Sequence, residues 1–117
     1  MNYDLHLNEM PFNAIKSGKK KIETRTKTPP LMRNYEEWEV GDTITFTNVA
    51  NNEIMKVEIL GVRHYKNIPD LLDAEGQENV MSYDTTREGA IVSWDKLQGY
   101  TEGIKKYGIW AIEVKPL

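Results

Sequence analysis

The chain has 117 residues and a net charge of −3, with 39% hydrophobic and 28% charged residues. These values predict one globular domain over residues 1–117, and they exclude wholesale disorder and a surface that is basic throughout. The absence of cysteine excludes disulfides and thiolate metal sites. No apolar run approaches the roughly 18 residues of a membrane helix, and no signal-peptide pattern opens the chain, so we expect a cytoplasmic protein without membrane partners.

The first elements along the chain are predicted to be a helix and a strand. "NEMPFNAIKSG", residues 8–18, fits a short helix, with Pro11 in its first turn and Gly18 at its end. "KKIETRT", residues 20–26, is typical of a strand because it is rich in β-branched side chains. Tandem prolines then predict a loop over residues 28–34.

A β-hairpin is predicted next. "VGDTITFTNV", residues 40–49, alternates so that Ile44 and Phe46 share one face. "ANNE" provides turn residues. "EIMKVEILGVRHY", residues 53–65, predicts a longer strand with a bulge or bend at Gly61.

The C-terminal half is predicted to contain two helices and a final strand. Asn67 is placed to cap a helix over "IPDLLDAEG", residues 68–76. "REGAIVSWDKLQGY", residues 87–100, has apolar residues at helical spacing, and a short "AIVSW" strand is the alternative. "YGIWAIEVKPL", residues 107–117, closes the chain as a strand. Short strands with helices in the gaps indicate an α+β fold with a small closed sheet and no parallel βαβ winding.

Positive charge is concentrated near the N-terminus. Seven basic residues lie between positions 16 and 33: Lys16, Lys19, Lys20, Lys21, Arg25, Lys27 and Arg33. With one acid, Glu23, this segment carries +6, so the rest of the chain carries −9. A basic focus in an acidic body favours one localised anionic ligand over a long polyanion, and a solvated basic strand is the alternative.

Four residues of this segment, Gly18, Lys20, Glu23 and Arg25, form the pattern G-x-K-x-x-E-x-R. On a strand, residues two apart share a face, so Glu23 and Arg25 project together. A bend at Gly18 would bring Lys20 to the same opening. We therefore expect an ammonium, a carboxylate and a guanidinium to meet at one pocket, and an exposed ladder of ion pairs is the alternative.

Other strong motifs are missing. The sequence has no P-loop, dinucleotide-binding, zinc-protease or serine-hydrolase pattern. Its two histidines, His6 and His64, each lie in an alternating apolar segment, where a structural or exposed role is expected. We therefore expect no metal site and no cofactor.

The motif is followed by "VGDTITFTN" at residues 40–48 and by "YGIWAIEVK" at residues 107–115. In this order the three stretches resemble the ASCH family, named for homology to activating signal cointegrator. The likeness runs over nearly the whole chain. It implies a single ASCH domain, residues 1–117, with a small PUA-like β-barrel of about five or six mainly antiparallel strands and two to three flanking helices.

The resemblance also implies a cleft that binds RNA or a nucleoside-like small ligand through Lys20, Glu23 and Arg25, with Lys21 beside them. A monomer is assumed. Aromatic side chains stack exposed bases in RNA-binding proteins. The candidates for this role are Trp38, Tyr65 and Trp110, for which the barrel core or rim is the alternative.

A hydrolase is the alternative function. Some small bacterial ASCH proteins are amidohydrolases that remove the acetyl group of acetylated cytidine, with a motif lysine, a threonine and a distal glutamate. Lys20 matches the lysine, but Glu23 replaces the threonine, and Thr24 follows it on the opposite face. Glu75 or Glu78 matches the distal glutamate, so the catalytic candidates are Lys20, Glu23 and Glu75. Without the hydroxyl, Glu23 would orient a water. A ribonuclease is a weaker possibility.

Overall fold

The computed structural model describes residues 1–117, which form five strands and five α-helices. The strands are β1 (Asn2–Leu7), β2 (Ile22–Arg25), β3 (Thr43–Asn48), β4 (Ile54–Tyr65) and β5 (Ile109–Pro116). The helices are α1 (Glu9–Ser17), α2 (Ile68–Glu75), α3 (Gln77–Val80), α4 (Arg87–Ser93) and α5 (Tyr100–Tyr107). The α+β prediction and the number of strands are confirmed, whereas the helices are more numerous than the two to three expected. None of the helices has the length and apolar character that crossing a membrane requires.

The strands form one curled sheet in the order β1-β3-β4-β5-β2. Three neighbouring pairs are antiparallel, but β1 and β3 are parallel. The expected mainly antiparallel sheet is therefore confirmed, and the single parallel pair was missed because β1 was not predicted. β1 does alternate: Leu5 and Leu7 are buried, and Asp4 and His6 between and beside them are exposed.

The hairpin and the bulge follow the sequence pattern. Ile44 and Phe46 are fully buried on one face of β3, as predicted. The chain reverses before Glu53, whose carbonyl accepts the backbone N–H of Asn48. The pairing of β4 with β5 shifts register between Ile59 and Gly61, which confirms the predicted irregularity there.

Apolar side chains pack on both faces of the sheet. Successive residues of a strand point to opposite faces, and β5 uses both. Trp110 and Ile112 join one apolar cluster, and Ile109 and Ala111 join the other. Each fully buried large apolar side chain contributes about 1.5–3 kcal/mol. A strand buried on both faces has no strict alternation, which is why its faces could not be assigned from the sequence.

The predicted helix over residues 87–100 is divided in the structure. α4 ends at Ser93, a 3-10 turn covers Trp94–Lys96, and α5 starts after Gly99, whose φ is 79°. Only glycine adopts this left-handed conformation without steric cost, so the chain turns there. The alternative of an "AIVSW" strand was wrong.

Helix α5 lies directly against the chain that leaves β2. A Cβ atom on Gly103 would be 2.6 Å from the backbone oxygen of Lys27 and 2.9 Å from a methyl carbon of Thr26. Only a residue without a side chain permits this approach. The contact brings Tyr100, at the start of α5, beside β2.

Candidate functional site

A cavity of about 400 Å³ lies where the two edge strands of the curled sheet approach each other. One wall comes from the end of β1 and the start of α1, and another comes from β2 and the residues just before it. The remaining wall comes from residues 80–83 and from the segment between α4 and α5. The volume lies within the range of about 300–1,000 Å³ that is usual for small-ligand sites.

Lys20, Glu23 and Arg25 all line this cavity. The Arg25 Nε donates to Glu23 Oε2 at 2.8 Å, and Lys20 Nζ lies 3.8 Å from Glu23 Oε1. The Lys20 and Glu23 side chains are 6% and 7% exposed, and that of Arg25 is 18% exposed. The structure thus places an ammonium, a carboxylate and a guanidinium at one concavity rather than on an exposed ladder.

Lys20 is held in an environment that disfavours its charge. Burial lowers the pKa of Lys20 below its ordinary value of 10.5, Arg25 adds to this effect, and Glu23 opposes it. Its amine also donates to the backbone carbonyl of Val80. A lysine in such surroundings can act as a hydrogen-bond donor and, when neutral, as a base.

Arg25 connects the two edges of the sheet. While its Nε is held by Glu23, its Nη2 donates to the backbone oxygen of His6 on β1 at 2.9 Å. Arg33 donates in the same way to the carbonyl of Asp4, at 3.3 Å. The guanidinium of Arg25 therefore has a fixed orientation between β1 and β2.

Three aromatic side chains line the cavity: Tyr83, Trp94 and Tyr100. Trp94 is buried, and its Nε1 donates to the Thr24 hydroxyl at 3.0 Å. Burial, chiefly, raises the pKa of Tyr100 to about 12, so its phenol is neutral at physiological pH. Tyr83 is 40% exposed at the rim. None was predicted as a site residue, because each is far along the chain from the motif and no local pattern marks it.

The aromatic residues that were predicted for stacking lie elsewhere. Trp38 is 7% exposed and stacks on Tyr3 at a ring-centroid distance of 3.9 Å. Trp110 is also buried, in contact with Tyr35 and His64. Neither ring lines the cavity, since both are enclosed by apolar packing. Trp38 and Trp110 are therefore better described as core residues than as residues that stack on a base.

Lys21 points to a second cavity, of about 510 Å³, which also contains Lys19 and Glu78. Met81 and Tyr83 border both cavities. The side chains of Lys20 and Lys21 therefore reach different cavities, as expected for adjacent positions in an extended segment. Lys21 is not placed with Lys20, Glu23 and Arg25.

The ASCH domain family model matches residues 5–117. The chain belongs to the ASCH domain family. The family and the α+β fold expected from the sequence are thus confirmed.

Three solved structures are similar to this ASCH domain. The crystal structure of hypothetical protein PH0355 is 33% identical, with a TM-score of 0.78 and full coverage of both chains. The solution NMR structure of protein PF0455 from Pyrococcus furiosus is 32% identical, with a TM-score of 0.75 and coverage of 100% of this chain and 98% of the other. The crystal structure of an ASCH domain from Lactobacillus crispatus JV V101 is 17% identical, with a TM-score of 0.55 and coverage of 98% and 79%. At this low identity, the similarity to the Lactobacillus crispatus structure supports only the fold. No curated protein matches the chain in sequence.

Glu75, a catalytic candidate by family resemblance, lies outside the cavity of this ASCH domain. Its carboxylate accepts from Arg63 through both oxygens, with Arg63 Nη2 to Oε1 at 2.8 Å. The Tyr65 hydroxyl donates to the same carboxylate. These bonds occupy Glu75 and place Tyr65 beside it, away from the motif. Glu78 lies in the second cavity, so the structure brings neither glutamate to Lys20.

We expect Glu75→Gln to lower the free energy of unfolding by about 1–2 kcal/mol at pH 7, because hydrogen bonds to charged groups are lost but Arg63 is partly solvated. Arg63 lowers the pKa of Glu75 below 4.5. A depressed carboxyl pKa gives stability that is present above the unfolded value and is lost as the pH falls through the folded value. The difference between wild type and variant in urea unfolding should therefore shrink below pH 4.5. The pH range from about 7 to about 3 spans the ordinary pKa of a glutamate. A stability difference between wild type and variant that stays constant over this range would contradict a charged Glu75.

Proposed function

We propose that this ASCH domain binds a nucleoside, or an exposed base of RNA, in the cavity between β1 and β2. The observation that supports the proposal is the meeting of Lys20, Glu23 and Arg25 at that cavity. Cations and a carboxylate that line a mostly buried hollow supply both charge and directional hydrogen bonds, which suit a polar heterocycle joined to a sugar or phosphate.

The cavity walls support the same ligand class. Sequence-specific RNA recognition uses unstacked bases that lie on aromatic side chains and are bonded along their edges. Tyr83 offers an exposed ring at the rim, and Tyr100 offers a half-buried one. Lys19 and Lys21 in the adjoining second cavity supply positive charge for a flanking phosphate.

The test is equilibrium binding of short single-stranded RNA and of the four nucleoside monophosphates. We expect Arg25→Ala to weaken binding about 10- to 100-fold, because Glu23 loses the side chain that orients it and with it one good directional contact to the ligand. Affinity for RNA should fall linearly with the logarithm of salt concentration. Lys105→Ala, at an exposed position of α5, is the matched control and should bind like the wild type. Near-UV circular dichroism should confirm that both variants are folded. RNA binding independent of salt, or absent for RNA and nucleotides alike, would contradict the proposal.

Hydrolysis of a modified nucleoside such as acetylated cytidine is the second candidate. The observation that favours it is a buried Lys20 with a lowered pKa, close to a carboxylate. In this proposal a neutral Lys20 or Glu23 takes a proton from water, the water oxygen attacks the acyl carbon, and the C–N bond breaks as the amine leaves with a proton. Acetate release that Lys20→Ala abolishes would support it. The absence of acetate release at high enzyme concentration would rule out hydrolysis. Because Glu75 lies outside the cavity, the structure does not favour a mechanism in which Lys20, Glu23 and Glu75 act together.

A further inference from the structure

The donors and acceptors of the motif follow one another in a defined order. Lys20 Nζ lies 3.8 Å from Glu23 Oε1, and the Arg25 Nε lies 2.8 Å from Glu23 Oε2. Along the cavity the order is therefore donor, acceptor, acceptor, donor. A ligand edge that fits Lys20 and Glu23 must offer one acceptor followed by two donors.

These groups retain unused hydrogen-bonding capacity. Glu23 Oε1 accepts no hydrogen bond, and Oε2 accepts one, from Arg25. An ionised carboxylate has about four lone-pair sites, so two ligand N–H groups can be accommodated. The amine of Lys20 uses one hydrogen for the carbonyl of Val80 and keeps at least one more, whether charged or neutral. The Glu23 side chain is 7% exposed, and its free oxygen is not sealed from the cavity, so a ligand donor can reach it.

We infer that the base taken by this cavity is guanine, a specificity that rests on the nucleoside-binding function proposed above. The Watson–Crick edge of guanine presents O6 as an acceptor, then N1–H and the N2 amino group as donors. The two donors match the two oxygens of Glu23, and O6 matches the amine of Lys20. The guanidinium of Arg25 holds the carboxylate in place from the other side, and its carbonyl partner on His6 fixes that guanidinium.

The other bases of RNA present a different order at the same edge. Uracil offers acceptor, donor, acceptor. Cytosine offers one donor and two acceptors, and adenine offers one donor and one acceptor. Each would place a lone pair against an oxygen of Glu23, or leave one of the two oxygens without a donor. A site that is built to hydrogen-bond its ligand rejects analogues strongly, because its buried polar groups then remain unpaired.

The experiment measures the affinities of GMP, IMP, AMP, CMP and UMP for the wild-type protein by isothermal titration calorimetry. We expect GMP to bind at least about tenfold more tightly than any of the others, since each bidentate contact discriminates about 10- to 100-fold. IMP is the sharpest comparison because it differs from GMP only in lacking the N2 amino group. The comparison of GMP with IMP uses only the wild-type protein, so a folding defect in a variant cannot obscure the result.

Glu23→Gln gives a second measurement, since the amide replaces one acceptor by a donor while keeping the shape of the side chain. We expect this variant to lose the preference for GMP over IMP. Glu88→Gln, at an exposed position outside both cavities, is the matched control and should keep it. Equal affinities for GMP and IMP, or tighter binding of CMP or AMP, would overturn the guanine inference and leave nucleotide binding intact. Failure of all five nucleotides and of RNA to bind would overturn both.

Discussion

Glu23→Ala is expected to lower the free energy of unfolding by about 3–5 kcal/mol, the range for removal of one partner from a buried ion pair. Glu23 is the only carboxylate in contact with Lys20 or Arg25. Its loss leaves two cations side by side in a mostly buried cavity. The cost is large because the remaining charges are desolvated without compensation, not because the ion pairs are strong in themselves.

The effect of Glu23→Ala should depend on pH in a defined direction. The pKa of Lys20 is lowered in the folded protein, so the unfolded chain binds more protons between that value and 10.5. Stability rises with pH wherever the unfolded state binds more protons. Without Glu23, which raises the pKa of Lys20, the folded value falls further. The deficit of the variant relative to wild type should therefore shrink as the pH rises from the folded Lys20 pKa of the variant to that of the wild type, both of which lie below 10.5.

Urea unfolding of wild type and Glu23→Ala at several pH values measures both effects. Glu78→Ala is the control, because Glu78 is exposed and forms no salt bridge. We expect this control to lie within about 0.5 kcal/mol of wild type, as surface substitutions usually do. A loss below about 1 kcal/mol for Glu23→Ala would show that Glu23 is solvated and that the three charges do not form a buried cluster.

Trp94→Ala is expected to lower the free energy of unfolding by about 3–5 kcal/mol, the usual cost of truncating a buried large aromatic side chain. Trp94 is 5% exposed and belongs to the apolar cluster beneath α2 and α4. It also forms a wall of the proposed ligand cavity. Truncation should therefore weaken nucleotide binding as well as stability.

The hydrogen bond from Trp94 to Thr24 can be separated from the packing by a double-mutant cycle. Trp94→Phe removes the donor and leaves the buried Thr24 hydroxyl without its partner, at a cost of about 1–3 kcal/mol. Addition of Thr24→Val should recover part of this loss, because replacing both partners with apolar groups is nearly neutral. Strictly additive effects in urea unfolding would contradict coupling between the two side chains.

The local pattern of the sequence predicted the elements that depend on local signals. Asn67 accepts from the backbone N–H of Asp70 as an N-cap, and the helix ends at Gly76 as expected. Strand β3 has the predicted buried face. The parallel pair that was missed depended on non-local pairing. Strand β1 is flanked by no turn signal, and its partner β3 is about forty residues away, as the pairing of Tyr3 with Ile44 shows.

The same distinction applies to the site. Lys20, Glu23 and Arg25 could be predicted to meet because a short bend and one strand position all three. Trp94 and Tyr100 could not, since they reach the cavity only through the packing of α4 and α5. Trp38 was predicted for the site from its chemistry alone. Aromatic chemistry does not distinguish a stacking platform from a core residue until the fold is known.

The arginines at the sheet margin have a consequence for the behaviour of the protein at high concentration. Unpaired backbone groups along an outermost strand attract a strand from another molecule, and natural proteins cover them. Here Arg25 and Arg33 cap the carbonyls of His6 and Asp4, alternate positions on the outer side of β1. At the opposite margin, the N–H of Lys21 is bonded to Asn79.

One of these arginines, Arg25, also lines the candidate cavity, so the side chain that covers the edge carbonyl of His6 belongs to the candidate site. A chain that lost Arg25 would expose the carbonyl of His6 to neighbouring molecules as well as to solvent. Under the function proposed above, the guanidinium of Arg25 therefore serves both ligand recognition and protection of the sheet edge.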